Sequence, residues 1–244
     1  MKKLILPILL LLIVLVGCSK EIPDGDIKDF VNNIAYDRTF EHVKRGYANI
    51  STEFKENDEL KGSVNIDMYY SREDNYFYQI TTVTGSYVGT DYEYSEQKVL
   101  LYKENNELHT FKKTDGTLVN NAFSDTDYDV YMHNYFYATL ESGYHRDGMY
   151  YGDYVIANAG KYYSLFSINE AKDTLTYKVN TKQTSPNGDD VIVMHYFEID
   201  PYGMLRNLSS KSIVKGKNQT IETKIKCFPN QNFELKKEAD LWKI

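Results

Sequence analysis

The sequence predicts a mainly β fold of the α+β kind: a meander of antiparallel strands, covered by an N-terminal helix and a mid-chain helix. Three observations predict it. From residue 47 onward, apolar and polar residues alternate with period two in segment after segment. Short polar turns rich in Asn, Asp and Gly separate these segments. The 244 residues include 23 tyrosines and 11 phenylalanines, whose rings pack on a pleated surface while tyrosine hydroxyls reach water.

Before the sheet comes a leader. Lys2 and Lys3 precede an apolar run from Leu4 to Val16, then Gly17, Cys18 and Ser19. Thirteen helical residues at 1.5 Å each reach about 20 Å, short of the roughly 30 Å hydrocarbon core. Pro7 interrupts the run as well. Residues 1–17 therefore read as a secretory signal peptide and not as a membrane span. Leu15-Val16-Gly17-Cys18 resembles the lipobox of bacterial lipoproteins. That resemblance implies a diacylglyceryl group on the Cys18 thiol, cleavage before it, and acylation of the new N-terminus. Two or three acyl chains suffice for stable anchoring. The implied location is the cell membrane, lipid-anchored and facing outside the cytoplasm. Residues 18–25 form a lipidated tether, and its seven residues beyond Cys18 reach about 25 Å at most.

Residues 26–43 carry the first predicted helix. Asp26 is placed to cap it, Phe30, Ile34, Phe40 and Val43 form its apolar stripe, and Lys44, Arg45 and Gly46 close it. Five strands follow. They are expected at 47–54, around Val64, Ile66, Met68 and Tyr70, at 75–84, at 99–103 and at 108–112. Their turns are Glu56-Asn57-Asp58, Ser71-Arg72-Glu73-Asp74 and Glu104-Asn105-Asn106-Glu107. Residues 124–140 break the alternation. Ser124 can cap them, Asp125, Asp127 and Asp129 crowd a first turn, and a second helix is expected. β structure resumes at 161–168, 174–182, 191–199, 204–214 and 219–228, around the turns Ser185-Pro186-Asn187-Gly188-Asp189 and Lys215-Gly216-Lys217-Asn218. Segment 191–199 is apolar on both faces, as a central strand should be. A single β domain thus spans 26–228, with a tail at 229–244 that holds the only tryptophan, Trp242.

The capped helix from Asp26, the run Phe197-Glu198-Ile199-Asp200-Pro201-Tyr202-Gly203-Met204 and the later Lys215-Gly216-Lys217-Asn218 hairpin resemble the lipoprotein-carrier superfamily of LolA, LolB and LppX. The resemblance covers most of residues 26–228. It implies a strongly curved antiparallel sheet or unclosed β-barrel that holds acyl chains on its concave face, with the helices as a lid. No ligand contact of that superfamily transfers residue by residue.

The remaining motifs narrow the function. Asp125 to Asp129 opens like a calcium loop, but Val130 and Phe136 stand where glycine and glutamate are required, so no metal is expected. His42, His109, His133, His145 and His195 show no ligand spacing. No nucleophile elbow, phosphate loop or dinucleotide fingerprint occurs, so neither an enzyme nor a cofactor is expected. Cys227 reads as a small buried hydrophobe, because it alternates with Ile221, Thr223 and Ile225. The formal charge is −7, and −9 once Lys2 and Lys3 leave with the leader. No basic stripe is visible along the chain, which argues against nucleic-acid binding and leaves membrane attachment to the lipid on Cys18. Two functions remain open. One is binding of a lipid or other apolar ligand in the concavity, with Val64, Ile66, Met68, Val193 and His195 as candidate lining. The other is an interaction module that contacts an envelope protein or glycan through surface tyrosines.

Overall fold

The computed structural model describes residues 25–33, 44–85, 94–105, 107–119, 165–184, 187–201 and 205–236. Cys18, Trp242, the acidic run from Asp125 and the expected helix at 124–140 lie outside them. Eleven strands form one antiparallel, unclosed sheet. They are β1 (Arg45–Glu56), β2 (Glu59–Ser71), β3 (Tyr76–Gly85), β4 (Glu96–Glu104), β5 (Glu107–Thr114) and β6 (Thr117–Val119) in the first half. The second half holds β7 (Phe166–Ile168), β8 (Leu175–Thr184), β9 (Asp190–Ile199), β10 (Leu205–Val214) and β11 (Gln219–Pro229). The spatial order is β6-β5-β4-β3-β2-β1-β11-β10-β9-β8-β7. Two meanders are therefore joined at their long strands β1 and β11, and each tapers to a three-residue edge strand. A sheet of this width coils through the right-handed twist of its strands.

The turns form as their residues demand. Asn57 and Asp58 both take positive φ, 53° and 64°, in a two-residue hairpin between β1 and β2. Asp115 and Gly116, at 45° and 82°, do the same between β5 and β6. Gly85 differs in kind. Its φ is +70°, and a Cβ there would stand 2.2 Å from the Lys61 carbonyl oxygen on β2. Gly116 has a similar φ of +82° with nothing within 4 Å of an added Cβ. Gly116→Ala is expected to cost about 1 kcal/mol, the conformational penalty alone. Gly85→Ala should cost about 2 kcal/mol more, because the β2–β3 pairing must also open. Urea midpoints of the two variants check this, and equal losses would show that the close approach carries no weight.

The inner face holds a continuous apolar cluster that runs from β4 to β7. Met68, Tyr70, Phe77, Leu101, Leu175, Tyr177, Phe197, Ile199, Leu208 and Ile225 build it, and each is at most 3 % exposed. Ile27 and Phe30 of the helix α1 (Gly25–Asn32) join it. Two expectations about this helix change. Among the described residues it ends at Asn32, because the Asn33 backbone N–H donates to Asp29 O (3.2 Å) and Phe30 O (3.1 Å) while its amide side chain donates to Asp29 O (2.7 Å). Residues 34–43 lie outside the described set. Asp26 sits in the first turn and reaches across to Lys172 (2.8 Å). The cover that α1 gives is thus confined to one end of the sheet, beside β7.

The outer face has two unlike halves. On β2–β5, Tyr76, Tyr78 and Leu100 are buried beneath the chain's own tail, with Tyr69, Tyr102 and Phe111 around them. Phe233 packs edge-on against Tyr69 at 5.4 Å, and the Arg45 guanidinium lies 5.1 Å from the Phe233 ring centroid. The Lys236 backbone N–H donates to the Tyr76 hydroxyl at 2.9 Å. On β8–β11 the same face gathers Lys178, Lys182, Lys211, Lys224 and Lys226, which corrects the expectation of no basic cluster. β8 and β11 supply two lysines each and β10 one, so only strand register brings them together.

Candidate functional site

Strand register places one inner-face residue from each of seven strands in a row: Val83, Val64, Thr52, Thr223, Ser210, His195 and Val179. The row is apolar at both ends and polar along its middle. At about 4.8 Å per strand, Val64 and His195 lie roughly 19 Å apart along the sheet. Thr52 and Thr223 share a hydrogen bond between their hydroxyls at 3.1 Å, and both are half-buried. Ser210 is 6 % exposed and His195 4 %. Burial pulls the His195 imidazole down to about 4, so it is uncharged at neutral pH, with one ring nitrogen as donor and the other as acceptor.

The next row toward the hairpin tips contains Phe54, Ile221, Ser212, Val193 and Thr181. Phe54, Val64 and Val193 are buried, at 5 %, 6 % and 3 % exposure, yet none belongs to the continuous apolar cluster of the described residues. The inner face therefore divides along the strands. Its α1 end is packed side chain against side chain. Its hairpin end mixes buried apolar groups with hydroxyls and a neutral imidazole. One more polar group lies toward β4: Gln79 donates its amide to Thr81 Oγ1 (3.0 Å), and its buried Oε1 has no hydrogen-bond partner among the described residues.

The sequence candidates fall on both sides of this division. Val64 and His195 share the polar row, and Val193 stands one row away. Ile66 pairs with Ile50 and packs on the continuous cluster. Met68, with no exposed surface, lies inside that cluster between Ala48 and Gln79. Cys18 lies outside the described residues. Thr52, Thr223, Ser210, Ser212 and Gln79 were not among the candidates. Their signal is position parity, since each falls on the inward register of an otherwise apolar strand face. Of the other titratable groups, Cys227 is buried at 5 % exposure and burial pushes its thiol up to about 12, which leaves it unreactive. His109 faces outward, stacked on Tyr102 at 4.9 Å.

No known protein family and no curated protein matches the chain. Among solved structures it is similar to a DUF1329 family protein from Desulfovibrio piger, with 5 % identity, a TM-score of 0.24, and coverage of 86 % of this chain and 96 % of that one. It is similar also to a LolA superfamily protein from Nitrosomonas europaea, with 8 % identity, a TM-score of 0.24 and coverage of 90 % and 100 %. A third likeness is to a β-barrel-like protein of the DUF1849 family from Brucella abortus, with 10 % identity, a TM-score of 0.27 and coverage of 78 % and 99 %.

Proposed function

We propose that the protein is a membrane-anchored lipoprotein that binds a lipid, or another apolar ligand with a polar head, on the hairpin-end half of its inner face. The observation that carries this reading is the divided inner face. Among the described residues, Phe54, Val64 and Val193 are withdrawn from water without joining the continuous apolar cluster, and a ladder of hydroxyls ending at a neutral histidine runs between them. Acyl chains suit the apolar margins. Ester or amide groups suit Thr52, Thr223, Ser210 and His195, which offer donors and acceptors without charge. The proposed anchor is the lipid on Cys18, at the outer side of the cell membrane. The other reading, an envelope partner or glycan on surface tyrosines, has to contend with Phe233 and Leu235, which already occupy Tyr69, Tyr76 and Tyr78.

Mass spectrometry of the mature chain recovered from membranes tests both parts. Under denaturing conditions, residues 18–244 plus a diacylglyceryl mass establish the anchor. Under native conditions, a further lipid adduct of one-to-one stoichiometry is expected. Val193→Asp should remove that adduct while the far-UV circular dichroism stays unchanged. A clean protein mass, with no uptake of added phospholipid, would overturn the binding proposal and favour the interaction module.

A further inference from the structure

The outer face of β8–β11 concentrates positive charge in a chain whose net charge is −7. Lys178, Lys182, Lys211, Lys224 and Lys226 share it with three acids, Asp190, Glu198 and Glu222. The three acids do not offset the whole group. Glu198 accepts a hydrogen bond from the Tyr196 hydroxyl on its own strand. Glu222 pairs with Lys224 at 2.9 Å and faces Lys211 across the strand pair. Lys178, Lys182, Lys224 and Lys226 are exposed. Between the lysines lie Ile192, Met194 and Ile213, each half-buried, where a continuous polar surface would be ordinary for an outer strand face. Basic side chains around an apolar centre suit the boundary between lipid headgroups and acyl chains.

The tether ends at the β7–β8 edge of the sheet, where α1 packs on the inner face and the basic outer face begins. Gly25 opens α1, which packs on β7, and Asp26 is held by Lys172 in the turn that leads into β8. Lys178 lies on β8 only six residues beyond Lys172. Gly25 is the seventh residue after Cys18, a reach of about 25 Å. We propose that this basic face of β8–β11 docks on an anionic phospholipid surface and fixes the orientation of the domain against the membrane. The docking is independent of whether the inner face holds a lipid.

Amine acetylation read by mass spectrometry tests it. The mature chain is placed on vesicles of phosphatidylcholine alone and on vesicles that also contain phosphatidylglycerol. On the anionic vesicles, Lys178, Lys182, Lys224 and Lys226 should acetylate at least about threefold more slowly, since each lysine near such a surface shifts its partitioning about fivefold. Lys61 and Lys103, on β2 and β4, should label equally on both. The protection should vanish at high salt, as the Debye length shrinks to about 3 Å at 1 M. The double reversal K178E/K226E should restore labelling of Lys182 and Lys224. Equal labelling on the two kinds of vesicle overturns the proposal. So does protection that persists without vesicles, which would assign the face to a protein contact.

Discussion

Phe197→Ala is expected to cost about 3–5 kcal/mol of folding stability. Phe197 is 1 % exposed on β9, which has neighbours on both sides, and its ring stacks on Tyr177 at 4.8 Å. Truncation removes the transfer free energy of the ring and leaves a cavity in the continuous core. It also removes an aromatic contact worth about 1 kcal/mol beyond the buried area. Domains of this size hold about 5–15 kcal/mol in total, so about a fifth or more of the margin is at stake. Urea unfolding checks it: the midpoint should fall sharply at an unchanged m-value. A loss under about 1.5 kcal/mol would mean that the core around Phe197 collapses around the gap and is less rigidly packed than its burial indicates.

The second large effect is a pH dependence set by His195. Its imidazole has a pKa of about 4 in the folded chain, lowered by burial from 6.5. Between these values the unfolded chain binds a proton that the folded chain refuses, so stability rises with pH across that window. Above pH 6.5 the residue contributes no pH dependence. As pH falls from 6.5 to 4, roughly 3 kcal/mol should drain away, and below 4 the contribution levels off. His195→Gln keeps a polar side chain at the site and removes the titration. Subtracting its unfolding free energies from those of the parent between pH 4 and 7 isolates the histidine. A flat difference would show that His195 is protonated in the folded state through a partner that compensates its burial.

Much of the sheet is legible in the sequence because its cues are local. The inward stripe Val64, Ile66, Met68 and Tyr70 needs only alternation to be seen. Asn57-Asp58 and Lys215-Gly216-Lys217-Asn218 declare turns because few residues other than Gly, Asn and Asp tolerate positive φ. What stays hidden depends on register between distant strands. Thr52, Thr223, Ser210 and His195 form one row only after four strands have paired, and no single strand shows more than one of them. The five lysines on the opposite face are scattered in the same way. The tail offered a cue of its own, Phe233-Glu234-Leu235-Lys236, whose alternation marks an extended segment with one face to bury. Nothing in it names the tyrosines that receive it.

The pairing of β1 with β11 also sets the order in which this chain can be built. Thr52 and Thr223, which face each other across that seam, are 171 residues apart. Every other strand pairs with its neighbour in sequence. The β1–β6 meander can therefore assemble before the second half of the chain is in place. Until β11 arrives, β1 is an open edge twelve residues long that carries Ile50 and Phe54. Such an edge templates strand addition from other chains. The finished sheet is thus preceded by a vulnerable half-made state, whose open β1 edge is covered by the last strand to appear. Non-local pairing of this kind is also slow. Loss of residues 219–244, which include all of β11, would leave the first half of the molecule permanently in its aggregation-prone form.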